Sequence, residues 1–101
     1  MKTLPIALPQ SEIEQFCQHH HIRKFSLFGS VLRDDFSDRS DVDVLVEFLP
    51  GKTPGLAIVT MGDELSALFG RVVDLRTPGD LSRYFRDTVM QEAMLIYEHG
   101  R

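Results

Sequence analysis

Hydrophobic and polar positions alternate most cleanly in "VDVLVEF", residues 42–48. Val42, Val44, Val46 and Phe48 fall on one side, and Asp43, Leu45 and Glu47 on the other. That is the period of a strand with one buried face. Upstream, Pro5 and Pro9 keep the first residues extended. Ile13, Phe16, Cys17 and His20 then recur at helical spacing behind Ser11 and Glu14, an S-x-x-E capping signature. A helix is predicted over 11–21. "KFSLF", residues 24–28, predicts a strand that Gly29 ends, with a short helix beginning at Ser30. "PGKTPG" is a loop by its residue types. Over 56–69 the positions Ile58, Met61, Leu65, Leu68 and Phe69 form a helical stripe, and Gly70 is a natural stop. "RVVDLRT" predicts a strand with Val73 and Leu75 facing away from Asp74. Residues 78–98 read as a turn and a helix closing in a short strand at "MLIY". The order αβαβαβα with short links predicts an α/β or α+β fold, a sheet covered by helices.

Length bounds this picture. At 101 residues the chain is read as one small domain, residues 1–101, with no room for a separate substrate-binding domain. A chain of this size buries roughly 60–70% of its unfolded surface, enough for one core. Cys17 is the single cysteine, so no internal disulfide forms and a reducing, cytoplasmic setting is expected. No apolar run approaches the ~20 residues of a membrane span. "MKTLPIALPQ" is too short and too broken by proline for a signal peptide. A net charge of −4 argues against a general nucleic-acid binder, which needs a basic face. A nucleotide held through cations stays compatible with that charge.

The chemistry concentrates where acid meets strand. Asp41 and Asp43 are two apart, so an extended chain turns them to one face, with Cα atoms about 6.5–7 Å apart. Asp74 comes from a neighbouring strand, opposite its apolar neighbours. Three carboxylates together resist ionisation unless a divalent cation neutralises them. Oxygen-only ligands suit Mg²⁺ or Mn²⁺, and two such ions about 3.5–4 Å apart serve a displacement at phosphorus. Gly29-Ser30 follows a strand, where a glycine lets backbone N–H groups approach an anion. A D-x-D alone is weak, because surface strands often begin with Asp, and a Gly-Ser turn is weaker. Asp74 alone also reads as a surface residue or as one bonded to a loop amide. Their conjunction, with consistent facing, carries the weight.

"GSVLRDDFSDRSDVDVLV" resembles the signature of the nucleotidyltransferase superfamily that includes DNA polymerase beta. Gly29 and Ser30 are followed by ten residues, Val31 to Ser40, and then by Asp41-x-Asp43. Arg33, Asp35 and Ser40 match its short form, the minimal nucleotidyltransferase domain. "GRVVDLRTPGDL" and "MQEAMLIYE" are similar to that group's third-aspartate strand and C-terminal segment. Val31 departs from the pattern, standing where many relatives carry Arg, and Arg39 stands at a variable place. The resemblance implies a palm-like fold, a small mixed sheet with helices mainly on one face. It implies that Gly29 and Ser30, with Ser40, hold the triphosphate of ATP. Asp41 and Asp43 would bind two Mg²⁺ ions, Mn²⁺ being an alternative. Asp74 would bind the catalytic ion and activate an acceptor hydroxyl. Arg33 and Asp35 would lie around the phosphates or behind them. AMP would pass to a tyrosine of a small helical HEPN toxin, with which the chain forms a hetero-oligomer as antitoxin.

Other features are set aside on physical grounds. His19, His20 and His21 point about 100° apart on a helix and cannot converge on one ion, and no acid-rich facing element is evident. Asp34, Asp35 and Asp38 lack the glycine a calcium loop requires, and Asp35 is read as bracing Arg33 or the loop. Cys17 lies on the apolar stripe and is read as packing. Tyr84, Phe85, Val89 and Met90 are read as core by default, with a partner surface as the alternative. Two further functions compete with the enzyme: an antitoxin that neutralises by binding alone, and a transferase acting on a small molecule or an RNA end. Three intact aspartates favour catalysis over binding alone. The lack of a second domain and the acidic charge argue against the third.

Overall fold

In the computed structural model, which describes residues 4–100, the valines of 42–48 run through the middle of a four-stranded sheet. The first three residues of the N-terminal stretch lie outside the described residues. Helix α1 (Gln10–His19) leads to strand β1 (Ile22–Phe28), a 3-10 turn (Gly29–Leu32) and strand β2 (Val42–Phe48). A second 3-10 turn (Gly55–Ala57) opens helix α2 (Ile58–Phe69), followed by strand β3 (Val73–Arg76). A third such turn (Pro78–Asp80), helix α3 (Arg86–Glu92) and strand β4 (Met94–Glu98) complete the order. The sheet runs β3-β2-β1-β4. β1 is antiparallel to β2 and to β4, while β2 and β3 are parallel. This is the expected α+β architecture with a mixed sheet.

Helices α1 and α2 cover one face. Ile13, Phe16 and Cys17 from α1 and Met61 and Leu65 from α2 join Phe25, Leu27, Val42, Val44 and Val46 in a single buried cluster. A register irregularity between Ile22 and Lys24 shifts the parity of β1, so Ile22 is buried together with Phe25 and Leu27. Ser66 ties α2 to β3: its hydroxyl donates to the Gly62 carbonyl at 2.9 Å and accepts the Val73 N–H at 3.0 Å. Gly70 stops α2 in the left-handed conformation, φ 70°, as its position in the sequence predicts.

Several expectations are corrected. Ser11 and Glu14 do not form a capping box. Helix α1 begins one residue earlier, the Ile13 N–H donates to the Pro9 carbonyl at 2.9 Å, and no side chain caps the end. Such a box forms instead at Thr77, whose N–H and hydroxyl both donate to Asp80 Oδ2 at 3.1 Å. The helix expected within 78–98 shrinks to Arg86–Glu92, and the short strand after it is a full edge strand paired with β1. The helix expected at Ser30 is one 3-10 turn. Leu45, expected on the polar side, is buried, and the turn after β3 comes back against β2. Tyr84 is 85% exposed and Phe85 and Met90 are also exposed, so they are not core; Val89 is half-buried. His20 does meet an acid: its Nε2 lies 3.3 Å from Glu64 Oε1, linking α1 to α2. Among the described residues, no helix is long and apolar enough to cross a membrane.

Candidate active site

The face that α1 and α2 leave open carries the carboxylates. Register sets Asp43 opposite Phe28 of β1 and level with Asp74 of β3. Residues level across a parallel pair share a face, so Asp43 and Asp74 emerge side by side, and Asp41 stands exposed just before β2 begins. Gly29 leaves β1 at φ 75°, and a Cβ on it would overlap the Asp43 carboxylate. Glycine is therefore required twice there, by its backbone angle and by the close approach of the acid. Ser30 follows in the 3-10 turn, where its carbonyl accepts the Arg33 N–H at 2.9 Å. The Ser30 hydroxyl has no partner among the described residues.

Electrostatics identify Asp43 as the crowded group. Burial pushes its carboxyl above the ordinary 3.8, and the charges of Asp74 and then Asp41 push the same way. Arg33 and Arg76 pull in the opposite direction without cancelling the rise. Asp74 is held by Arg76, whose Nε donates to Oδ1 at 3.0 Å and whose Nη2 donates to Oδ2 at 3.3 Å. The linking loop has its own anchor. Arg71 Nη1 donates to the carbonyls of Ser37 and Ser40 at 3.3 Å each, and its guanidinium sits 4.8 Å from the centroid of the Phe36 ring. The chain immediately before Asp41 is thus tied to the start of β3.

The remaining candidates separate into two groups. Arg33 lies near enough to act on Asp43 and pairs with Asp35 at 3.6 Å on an exposed loop. The Ser40 hydroxyl is engaged inside the loop, accepting the Ser37 N–H at 3.0 Å. Val31, at the departing position, is fully buried in the core. Arg76 and Arg71 were not singled out from the sequence. The signal for Arg76 was present, since a residue two beyond Asp74 on a strand shares its face. For Arg71 no pattern exists, because its partners are backbone carbonyls of a loop.

Two hollows lie elsewhere. One of about 640 Å³ runs between Glu14, Gln18 and β4, and one of about 590 Å³ lies between α1 and α2. Neither is lined by the carboxylates of the candidate site. Its donors are all oxygen, which suits a hard divalent cation, and a cation would relieve the repulsion at Asp43. Among the described residues, no three such side chains stand grouped to hold an ion. Both oxygens of Asp74 are engaged by Arg76 in this arrangement.

The family model described as polymerase beta nucleotidyltransferase matches residues 11–101, and the chain belongs to that family. A relative in Methanocaldococcus jannaschii, named "Putative protein adenylyltransferase", is 35% identical over 75 residues, covering 74% of this chain and 80% of its own. Protein adenylyltransferase MntA of Thermococcus cleftensis is 33% identical over 76 residues, 74% of this chain and 75% of its own. A crystal structure of a toxin–antitoxin with AMP-PNP contains a chain of the same fold. It matches with a TM-score of 0.73 over 92% of this chain and 76% of that one, at 18% identity.

Proposed function

We propose that the protein transfers AMP from ATP to a hydroxyl of a partner protein, a tyrosine of a small helical HEPN toxin, and so acts as an antitoxin in the cytoplasm. The observation that carries this reading is the register that sets Asp43 level with Asp74, with Gly29 packed against the Asp43 carboxylate. Relatives named as protein adenylyltransferases support the reaction class. The toxin–antitoxin of like fold supports the partner class. Tyr84 and Phe85, exposed beyond β3, offer surface to such a partner.

Asp41, Asp43 and Asp74 are the residues that would hold two Mg²⁺ or Mn²⁺ ions, which when bound supply charge stabilisation at the phosphate oxygens. Backbone amides of the Gly29-Ser30 turn and the Ser30 hydroxyl receive the triphosphate. Asp74 orients the acceptor hydroxyl and takes its proton. The acceptor oxygen bonds to the α-phosphorus as the bond from that phosphorus to the β-phosphate bridging oxygen breaks. Diphosphate leaves, and AMP stays on the acceptor.

The test is to incubate the protein with Mg²⁺, α-labelled ATP and the toxin, then map the label by mass spectrometry. Label on a toxin tyrosine is expected. Label elsewhere on the toxin would overturn the acceptor assignment, and no transfer would overturn the activity. Ser30→Ala should weaken ATP use more than toxin binding, and equal losses in both would remove Ser30 from the phosphate site.

A further inference from the structure

Arg76 is the one cation bonded to any of the three carboxylates among the described residues. Its guanidinium engages both oxygens of Asp74, and both side chains are part-exposed at 47% and 40%. The two residues lie two apart on β3, an edge strand, level with Leu45 and Asp43 of β2. A two-pronged guanidinium is a close match for carboxylate and for phosphate alike. Asp74 thus already has a counter-ion, while Asp41 and Asp43 make no hydrogen bond or ion pair among the described residues.

We propose that Arg76 is a competitor for Asp74: a divalent cation takes Asp74 by displacing the guanidinium, and the displaced Arg76 turns to the phosphates of the nucleotide. This rests on the reading of the open face as a cation and nucleotide site. Its consequence is coupling between the two ligands. A cation alone must break the Arg76–Asp74 bonds and leave the guanidinium with water as its only new partner. A cation arriving with nucleotide releases Arg76 to a new anionic partner, so each ligand strengthens the binding of the other.

The experiment measures Mn²⁺ binding by electron paramagnetic resonance, with and without AMP-PNP, in wild type, Arg76→Gln, Arg76→Lys and Arg33→Gln. Arg33 is the control for charge alone, since it acts on Asp43 at least as strongly as Arg76 but is bonded to Asp35 and not to the three carboxylates. Arg76→Gln should bind Mn²⁺ alone about fivefold more tightly, the upper end for a part-exposed pair. It should also lose part of the gain that AMP-PNP brings in wild type. Arg76→Lys should fall between, and Arg33→Gln should change Mn²⁺ binding less than Arg76→Gln. Weaker or unchanged Mn²⁺ binding in Arg76→Gln would overturn the proposal, as would an equal gain in Arg33→Gln. Binding that is abolished by Asp41→Asn/Asp43→Asn yet indifferent to Arg76 would sink the competitor role alone. Absence of Mn²⁺ binding in wild type would sink the site together with it. Thermal unfolding of each variant confirms that the fold is intact.

Discussion

Val42, Val44 and Val46 turn one way from β2 and are fully buried under α1 and α2; Asp43 and Glu47 turn the other way and stay half-exposed. The same seven-residue strand therefore serves two opposed requirements. On the helix side, every position that removes apolar surface from water stabilises the fold. On the open side, Asp43 sits part-buried beside two like charges and opposes it. A carboxylate placed at such a cost next to a glycine-only turn points to chemistry, since stability alone would put a neutral residue there.

Substitutions on the two faces should therefore part company. The largest stability effect is expected at Phe25, fully buried on the helix side. Phe25→Ala should lose about 3–5 kcal/mol in urea unfolding, with transfer per folded molecule retained. A loss well under ~1 kcal/mol would show that the core is not where the burial places it. Gly29 joins the faces. Gly29→Ala forces a left-handed angle on alanine and drives a Cβ into the Asp43 carboxylate, so a loss of roughly 1–2 kcal/mol is expected together with a fall in AMP transfer. If stability falls while transfer is unaffected, the turn is structural only.

The smallest effect has the opposite sign. The folded-state value of Asp43 is raised above 3.8, so its contribution favours folding fully below 3.8 and is lost as pH rises through the raised value. At neutral pH, without divalent cations, Asp43→Asn should be more stable than wild type by roughly a few tenths of a kcal/mol, given the screening at a part-exposed group. That margin should narrow as pH falls toward 3.8. A destabilised Asp43→Asn at neutral pH would mean that its charge is already compensated.

Much of the site was legible because strands impose a period of two. Alternation set Asp43 and Asp74 each opposite its valine and leucine neighbours, the spacing from Gly29 to Asp41 was legible only through the family resemblance, and the register of β2 with β3 brings the two aspartates level. What resisted reading was set by side-chain-to-backbone bonds. Residues 82–85 look helical by composition, yet Ser82 Oγ accepts the Tyr84 N–H at 3.3 Å and Arg86 Nη2 donates to the Leu81 carbonyl at 2.8 Å. Such bonds offer the backbone an alternative to a helix, and α3 starts only at Arg86. Leu45 escaped because alternation within one strand carries no trace of what other segments pack on that strand, and the turn after β3 does return against β2.

The claim that the open face is the catalytic face is tested most directly by the rate of AMP transfer to the toxin in Asp41→Ala/Asp43→Ala beside wild type. Both proteins should be matched for folded fraction and toxin binding. A loss on the order of a thousandfold or more is expected, with the toxin still bound and the fold at least as stable. Transfer at the wild-type rate in the double variant would contradict the assignment outright.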